Sequence, residues 1–324
     1  MSTAARPLVI FTDRADLDPV PAIDLLEANG FDSAVLDLAN DPLVPEDARR
    51  AVAAIVGYAR IGDAVLQQLP DLRVLCTSSV GTDMVDEAAA ARHGVEVVGL
   101  AGASTREVAT HTLALALAAV RELPAATAVA RDGGWTTHFD RIPRATEDLV
   151  FGLLGFGRIA QATAELARPV FGRIIAHDPF QSAPGAEHVG FDDLLARADV
   201  LSLHVPLTEA NRGIVSADAI GRLPAGSVIV NTSRGELVDD AAVLAALESG
   251  RVSAYAADVL AGEPPQAADP LRRHPRAIVT PHIAFLSDRS LERYLLSPAR
   301  TILDRLGPAR PVATGTITAM EATS

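Results

Sequence analysis

The chain has 324 residues, 49% hydrophobic and 21% charged, a balance that suits a soluble globular protein of two domains with ample core. Against 28 Lys plus Arg stand 41 Asp plus Glu, giving a formal net charge of −13 without a long basic run, which argues against nucleic acid as a partner. No run of about 18 apolar residues is present for a membrane span, and residues 1–7 lack the charged and apolar regions of a secretion signal, so a cytoplasmic location is expected.

In chain order, residues 8–11 read as a strand, 22–28 as a helix stopped by Asn29 and Gly30, and 34–38 as a second strand. The alternation continues with a strand at 51–56, a helix at 61–69, a strand at 72–76, a helix at 84–92 ending at His93 and Gly94, and a strand at 95–98. This pattern predicts a first parallel α/β domain. The one cysteine, Cys76, excludes an internal disulfide and falls in an apolar strand run, so it reads as a buried, inert thiol. Ser104 and Glu107 have the spacing of a capping box and open a helix running to about residue 123, where Pro124 follows. Its Ala- and Leu-rich interior predicts burial between domains or subunits.

A second strand-helix series begins with residues 149–160. An apolar strand at 150–154 runs into Gly155-Phe156-Gly157-Arg158-Ile159-Ala160, the GxGxxG/A spacing of a dinucleotide-binding turn. Gly155 permits the tight turn, Gly157 lets backbone approach a pyrophosphate, and Ala160 lets the following helix lie against the strand. That helix offers unpaired amides and a positive dipole end to phosphates. The next strand, 173–177, ends at Asp178, 21 residues after Gly157 and where a ribose-binding acid is expected. A carboxylate there accepts from both ribose hydroxyls and repels a 2′-phosphate, so NAD is predicted over NADP. Further strands are predicted at 200–204, 227–230, 252–258 and 277–280, and helices at 158–167, 192–198, 217–223 and 239–249, the last stopped by Gly250. A final helix at 287–306, kinked near Pro298, is expected to return to the first domain, and the tail from Gly307 is expected to be loose.

In a parallel α/β sheet ligands bind outside the carboxyl ends of the strands, where Asp178, His204, Arg234, Asp258 and His282 fall. Arg234, beside Gly235 at a strand end, can grip a planar carboxylate with two hydrogen bonds. Glu263 precedes Pro264, and His282 follows Pro281. Taken singly, each reads most simply as an ion pair, a turn or a surface group; their ordered joint occurrence points to a catalytic set. His93, His111, His138, His188 and His274 show no metal-ligand spacing and read as capping, core or surface residues, so no metal site is predicted. His177 reads as lining an adenosine pocket or facing solvent.

Over nearly its whole length the chain resembles the D-isomer-specific 2-hydroxyacid dehydrogenase family. The turn from Gly155 to Ala160 with Asp178 resembles the family's NAD site, and Asn231-Thr232-Ser233-Arg234-Gly235 its catalytic-arginine motif. The segment from Asp258 to Pro264 resembles its glutamate motif, and Pro281-His282 its catalytic histidine. Ser79-Val80-Gly81-Thr82-Asp83 resembles the loop whose amides bind substrate carboxylate, and His204-Val205-Pro206 a cofactor-lining strand end.

The resemblance implies two parallel-sheet domains. Residues 1–100 with 286–324 would form a smaller flavodoxin-like substrate domain, and residues 101–285 a Rossmann-type NAD-binding domain. A hinge between them would close over substrate, with Val80 and Gly81 facing the cofactor half-site across the cleft. It implies that His282 acts as general acid in reducing a 2-oxo acid and as general base in reverse, with Glu263 fixing its tautomer and favouring its charged form. Arg234 would bind the carboxylate and polarise the carbonyl, and Asp258 would hold the nicotinamide carboxamide. Gly155, Phe156, Gly157, Arg158, Ile159, Asp178, His204, Val205, Pro206, Thr232 and Ser233 would line the cofactor. A homodimer is implied as well. The chain departs from the family in carrying Thr110 where Glu is common, and Phe285 where small residues are common. Phe285 and Tyr58 are candidates for the substrate side-chain pocket. Two alternatives remain open: a non-catalytic, NAD(H)-sensing corepressor-like or scaffold protein, and a dehydrogenase of another acid such as phosphite.

Overall fold

The computed structural model describes residues 6–14, 18–136 and 141–307. His138 and the tail after Gly307 lie outside the described residues, as do residues 1–5. The chain divides into two compact units, one formed by residues up to Ala103 and from Ser287 onward, the other by Ser104–Leu286.

The first unit holds strands β1 (Leu8–Phe11), β2 (Asp32–Val35), β3 (Ala51–Val56), β4 (Val74–Thr77) and β5 (Glu96–Val98), with helices α1 (Val20–Ala28), α2 (Asp63–Leu66) and α3 (Glu87–Arg92) between them. All pairs are parallel and the order is β2-β1-β3-β4-β5, the flavodoxin-like winding. Alternate residues serve opposite faces: Leu8 and Ile10 pack with Val65, Leu66, Ala89 and Ala90, whereas Val9 and Phe11 pack with Ala22 and Leu26. Coverage of both faces is why these strands are unbroken apolar runs. Cys76 is buried on the second face, and burial pushes its thiol up to about 12. The helix expected at 61–69 shrinks to α2, because Ile61 is taken into a bridge with Val85 and Gly62 caps the helix. The strand expected at 34–38 starts earlier, in register with β1.

The second unit holds α4 (Thr105–Val120), α5 (Leu123–Arg131), β6 (Val150–Leu154), α6 (Arg158–Ala167), β7 (Arg173–His177), β8 (Glu187–His188), α7 (Phe191–Arg197), β9 (Val200–Leu203), α8 (Ala217–Arg222), β10 (Ser227–Asn231), α9 (Asp240–Ser249), β11 (Val252–Ala257), α10 (Pro270–Arg273) and β12 (Ala277–Val279). Its seven strands are parallel in the order β12-β11-β10-β9-β6-β7-β8, which is Rossmann winding with one added edge strand. Alanines let α4 lie close to α6: Ala116 and Ala119 share one core with Ala160, Ala164 and Ala167. Ala160 is fully buried there, so a larger side chain at this position of the turn would push the two helices apart.

The helix expected to run to about residue 123 ends at Val120, and a second, unexpected helix, α5, follows at a bend of 60°. α4 stops at Val120, Glu122 adopts φ +51, and Pro124 sits in the first turn of α5, where it needs no donor partner. The capping box expected at Ser104 does not form. Ser104 has ψ 24 rather than extended backbone, and its side chain makes no cap bond to α4. Among the described residues no single helix is long and apolar enough to cross a membrane, although α4 and α5 together pass by length and composition.

A final helix, α11 (Asp288–Leu306), belongs to the first unit; Ser287 and Ser290 form its capping box, Pro298 lies buried within it, and Ala299 and Ile302 join the core of Val9 and Phe11.

Candidate active site

The glycine turn is built from both sides. Gly155 has φ +91, and a Cβ there would stand 2.7 Å from the His204 carbonyl oxygen, so glycine is required by conformation and by space. Phe156 is fully buried, and its amide donates to Asp178 Oδ2 at 2.8 Å. Gly157 caps α6 with extended backbone, and a Cβ there would meet nothing within 4 Å. Among the described residues the Gly157 amide donates to no protein acceptor. An open backbone ledge at the start of a ten-residue helix fits a pyrophosphate. Arg158 and Ile159 form the first turn of α6 behind it.

Asp178 follows β7 as expected, and its carboxylate is engaged with backbone. Its Oδ1 accepts from the amides of Phe180 and Gln181, at 2.8 and 3.1 Å. Partial burial works to raise its pKa, but these amides and that of Phe156 prevail and hold the carboxyl below its ordinary value. The acid is thus ionised at neutral pH and braces the turn it was expected to serve. His204 is hydrogen-bonded to Ser202 Oγ at 2.9 Å, and burial pushes its pKa down to about 3, so the ring is neutral. Val205 is partly buried and Pro206 exposed beside it. Thr232 Oγ1 meets Thr112 Oγ1 of α4 at 2.8 Å, and Ser233 Oγ donates to the Leu203 carbonyl at 2.7 Å. These two hydroxyls tie the end of β10 to α4 and β9.

Arg234, Glu263 and His282 lie in the loops after β10, β11 and β12, three adjacent strands. His282 Nδ1 is 2.5 Å from Glu263 Oε2, and Glu263 Oε1 accepts from the Leu260 amide at 2.9 Å. The hydrogen bond to Glu263 raises the His282 pKa above its ordinary value, against partial burial; the charge of Asp258 adds to the rise and that of Arg234 opposes it. For Glu263 burial is the largest influence and pulls upward, but the bond to His282, its charge, the Leu260 amide and the charge of Arg234 together outweigh it, and the carboxyl sits below its ordinary value. This arrangement places the proton on His282 Nδ1 and presents Nε2 as the exchanging site. The Arg234 loop and the Glu263 loop are in backbone contact: a Cβ on Gly235 would collide with Leu260 and Ala261, so only glycine permits the approach. Asn231 Nδ2 donates to the Arg234 carbonyl at 2.8 Å and so holds the arginine's backbone.

Asp258 has an internal task. It is 1% exposed, and its carboxylate accepts from Thr280 Oγ1 at 2.5 Å and from the amides of Ile283 and Ala284 at 2.9 and 2.8 Å. The His282 amide donates to the Asp258 carbonyl at 2.9 Å. His282 itself has φ +54, a left-handed conformation costing a non-glycine residue about 1–3 kcal/mol. Phe285 stands edge-on to the His282 ring, with centroids 6.4 Å apart.

Within the first unit, Tyr58 is 64% exposed in the loop after β3. Asp13 Oδ2 gathers the amides of Gly57, Tyr58 and Ala59 at 3.2, 3.0 and 2.9 Å, a brace that no sequence motif announces. The 78–82 loop follows β4, where Ser79 Oγ donates to the Gly81 carbonyl. Among the described residues the amides of Val80 and Gly81 donate to no protein acceptor.

The other histidines divide as follows. His93 ends α3 and pairs with Asp63, His274 ends α10 and accepts from the Arg276 amide, His188 is exposed in β8, and His177 Nδ1 lies 3.0 Å from the Val189 carbonyl. His111 differs: it projects from α4 to Thr280, with Nε2 3.0 Å from Oγ1. Nothing in its local sequence signals that contact, because Thr280 is 169 residues away. Thr110 is exposed and bonds the Arg106 carbonyl of its own helix.

Residues 113–284 match the family described as D-isomer specific 2-hydroxyacid dehydrogenase, NAD binding domain. The chain belongs to that family. This family member is 36% identical over 296 residues to D-3-phosphoglycerate dehydrogenase of Mycobacterium tuberculosis, a match covering 89% of this chain and 54% of that one. The chain spans about half the length of the phosphoglycerate dehydrogenases it matches. It is 32% identical over 264 residues to a hydroxypyruvate reductase of Thermotoga maritima, covering 79% of this chain and 85% of the relative. Among solved structures, a Thermus thermophilus protein superposes with a TM-score of 0.81 at 31% identity, covering 94% of this chain and 98% of the other.

Proposed function

We propose that this family member transfers hydride between NAD and a small D-2-hydroxy acid, reducing the 2-oxo acid in one direction. The observation that carries the reading is the 2.5 Å contact between His282 Nδ1 and Glu263 Oε2, on the same edge of the sheet as Arg234 and the glycine turn. When bound, NADH would supply the hydride for reduction and NAD+ would accept it in the reverse direction. His282, charged through Glu263, donates a proton from Nε2 to the carbonyl oxygen, and Arg234 holds the carboxylate in two hydrogen bonds. In the first unit Val80, Gly81 and Tyr58 are the candidates for substrate contact, and in the second Phe285, which stands edge-on to His282. The names of two relatives that match along most of their own length, a glycerate dehydrogenase and a hydroxypyruvate reductase, favour hydroxypyruvate among 2-oxo acids. Asp178, ionised beside the turn, favours NAD over NADP. The test is NADH and NADPH oxidation in parallel against glyoxylate, hydroxypyruvate and pyruvate: turnover with NADH is expected, and His282→Ala abolishes it. No turnover across such a panel overturns the reading.

The same proposal includes a homodimer. Helix α5 buries no residue, and Leu123, Trp135 and Ile142 are 50%, 73% and 93% exposed, apolar surface that a second copy would cover. Sedimentation should give twice the chain mass; a monomer mass removes this part.

A further inference from the structure

We propose that His111 and Thr280 are positioning residues that hold His282 in its left-handed conformation by orienting the Asp258 carboxylate. The inference rests on the reading of His282 as the acid/base group, and the proton on the Thr280 hydroxyl decides the direction of the relay. That hydroxyl has one hydrogen and two close neighbours, Asp258 Oδ1 at 2.5 Å and His111 Nε2 at 3.0 Å. A carboxylate oxygen cannot donate, so at 2.5 Å the hydroxyl hydrogen must point to Asp258. The Thr280 oxygen is then left to accept, and His111 must carry its proton on Nε2. The donor direction is therefore determined along the whole relay, from His111 to Thr280 to Asp258. His111 Nε2 is also 3.6 Å from Asp258 Oδ1, close enough to steady the buried charge directly.

Asp258 passes this order to the catalytic loop. Its two oxygens take the amides of Ile283 and Ala284, immediately after His282, while its carbonyl takes the His282 amide. Among the described residues only Glu122 and His282 are non-glycine residues with positive φ, so His282 is held where few side chains go. Such strain persists only where the surroundings over-determine it. Helix α4, packed on α6, β10 and β11, supplies the rigid support from which His111 reaches Thr280. Nothing else about His111 explains a polar contact so far along the chain.

The test compares Thr280→Val with Thr280→Ser, and His111→Ala with His111→Gln, whose amide can still donate from the Nε2 position. Thr280→Val and His111→Ala are expected to lower kcat for 2-oxo acid reduction about tenfold or more, with KM and NADH affinity within about twofold of wild type. The serine and glutamine variants should restore most of the loss. The charged groups that act on the His282 ring are Glu263, Asp258 and Arg234. As the loop relaxes, the His282 titration followed by NMR in the free enzyme should therefore shift toward ordinary histidine. Wild-type kcat and an unmoved titration in both loss variants overturn the inference. If the wild-type protein reduces no 2-oxo acid, the proposed activity fails on its own, and the titration still decides whether the relay positions His282. Should Thr280→Val not fold, His111→Ala probes the same relay from its other end.

Discussion

Each unit uses an aspartate at a strand end to gather the amides of a neighbouring loop, and the two loops differ in what that restraint sustains. Asp13 holds three consecutive amides of the loop carrying Tyr58, whose residues all keep ordinary backbone angles. Asp258 holds two amides and a hydroxyl in the loop carrying His282, which has φ +54. The first brace stabilises a shape the chain already favours. The second maintains a conformation that costs free energy, and the residue under strain is the one proposed to transfer the proton. A second difference lies behind the braces: Asp258 is itself oriented through Thr280 and His111, whereas Asp13 takes its hydroxyl bond from its own neighbour, Thr12.

The sharpest way to break this comparison is to make the same change at both braces. Each of Asp258→Ala and Asp13→Ala orphans amides that now have acceptors, at about 1–3 kcal/mol per buried donor, so both should lower the midpoint of denaturant unfolding. Only Asp258→Ala should also cut turnover, by about a hundredfold, since a displacement of ~1 Å at a reacting group has that effect. Equal losses of turnover would erase the distinction between the two loops.

Gly235→Ala is next in expected size. Its Cβ would collide with the Leu260 and Ala261 backbone, so the loops of Arg234 and Glu263 must part, at about 1–3 kcal/mol of stability. Thermal unfolding and kcat should fall together.

Glu263→Gln tests the charge coupling rather than the shape. Glu263 raises the His282 pKa, and in the proposed mechanism reduction uses protonated His282, so wild-type kcat/KM for reduction should be level at low pH and fall as pH rises through that raised value. Oxidation of the hydroxy acid should rise over the same range. In Glu263→Gln both limbs move to lower pH, and limbs that stay in place would remove Glu263 from the mechanism. Stability follows the same signs. The His282 contribution is complete below ~6.5 and lost as pH rises through its raised folded value. That of Glu263 is complete above ~4.3 and lost as pH falls through its lowered folded value.

The smallest expected effect is at the cofactor turn. Asp178→Ser removes a charge that would repel a 2′-phosphate and should improve NADPH use relative to NADH about tenfold, measured as the ratio of kcat/KM values. It should leave the His282 titration unchanged, because it acts on a different strand end.

Much of the architecture was legible because short-range chemistry determines it. Strands β3, β6 and β7 and helix α6 have the bounds that apolar runs and glycine punctuation predict. Errors fell where a distant partner decides: Ile61 leaves its helix for Val85, and Ser104 is buried in a conformation that cannot cap. Helix α5 is not legible in the sequence because Pro124 marks a helix end there and, in the fold, also lies in the first turn of the next helix. In the candidate site, Arg234, Glu263 and His282 were findable as residue types at strand ends. His111 was not, because its partner lies far along the chain.

By itself the sequence determined the strand-helix alternation, the glycine turn with its acid, and the chemical character of the candidate catalytic set, since spacing and residue type suffice for these. Only the tertiary structure decided that Asp178 and Asp258 spend their oxygens on backbone amides, that Gly235 lies against another loop, and that His282 is strained and buttressed from α4. These are properties of pairs of residues distant in the chain, and a hydrogen bond between such residues exists only once the sheet has aligned its strand ends.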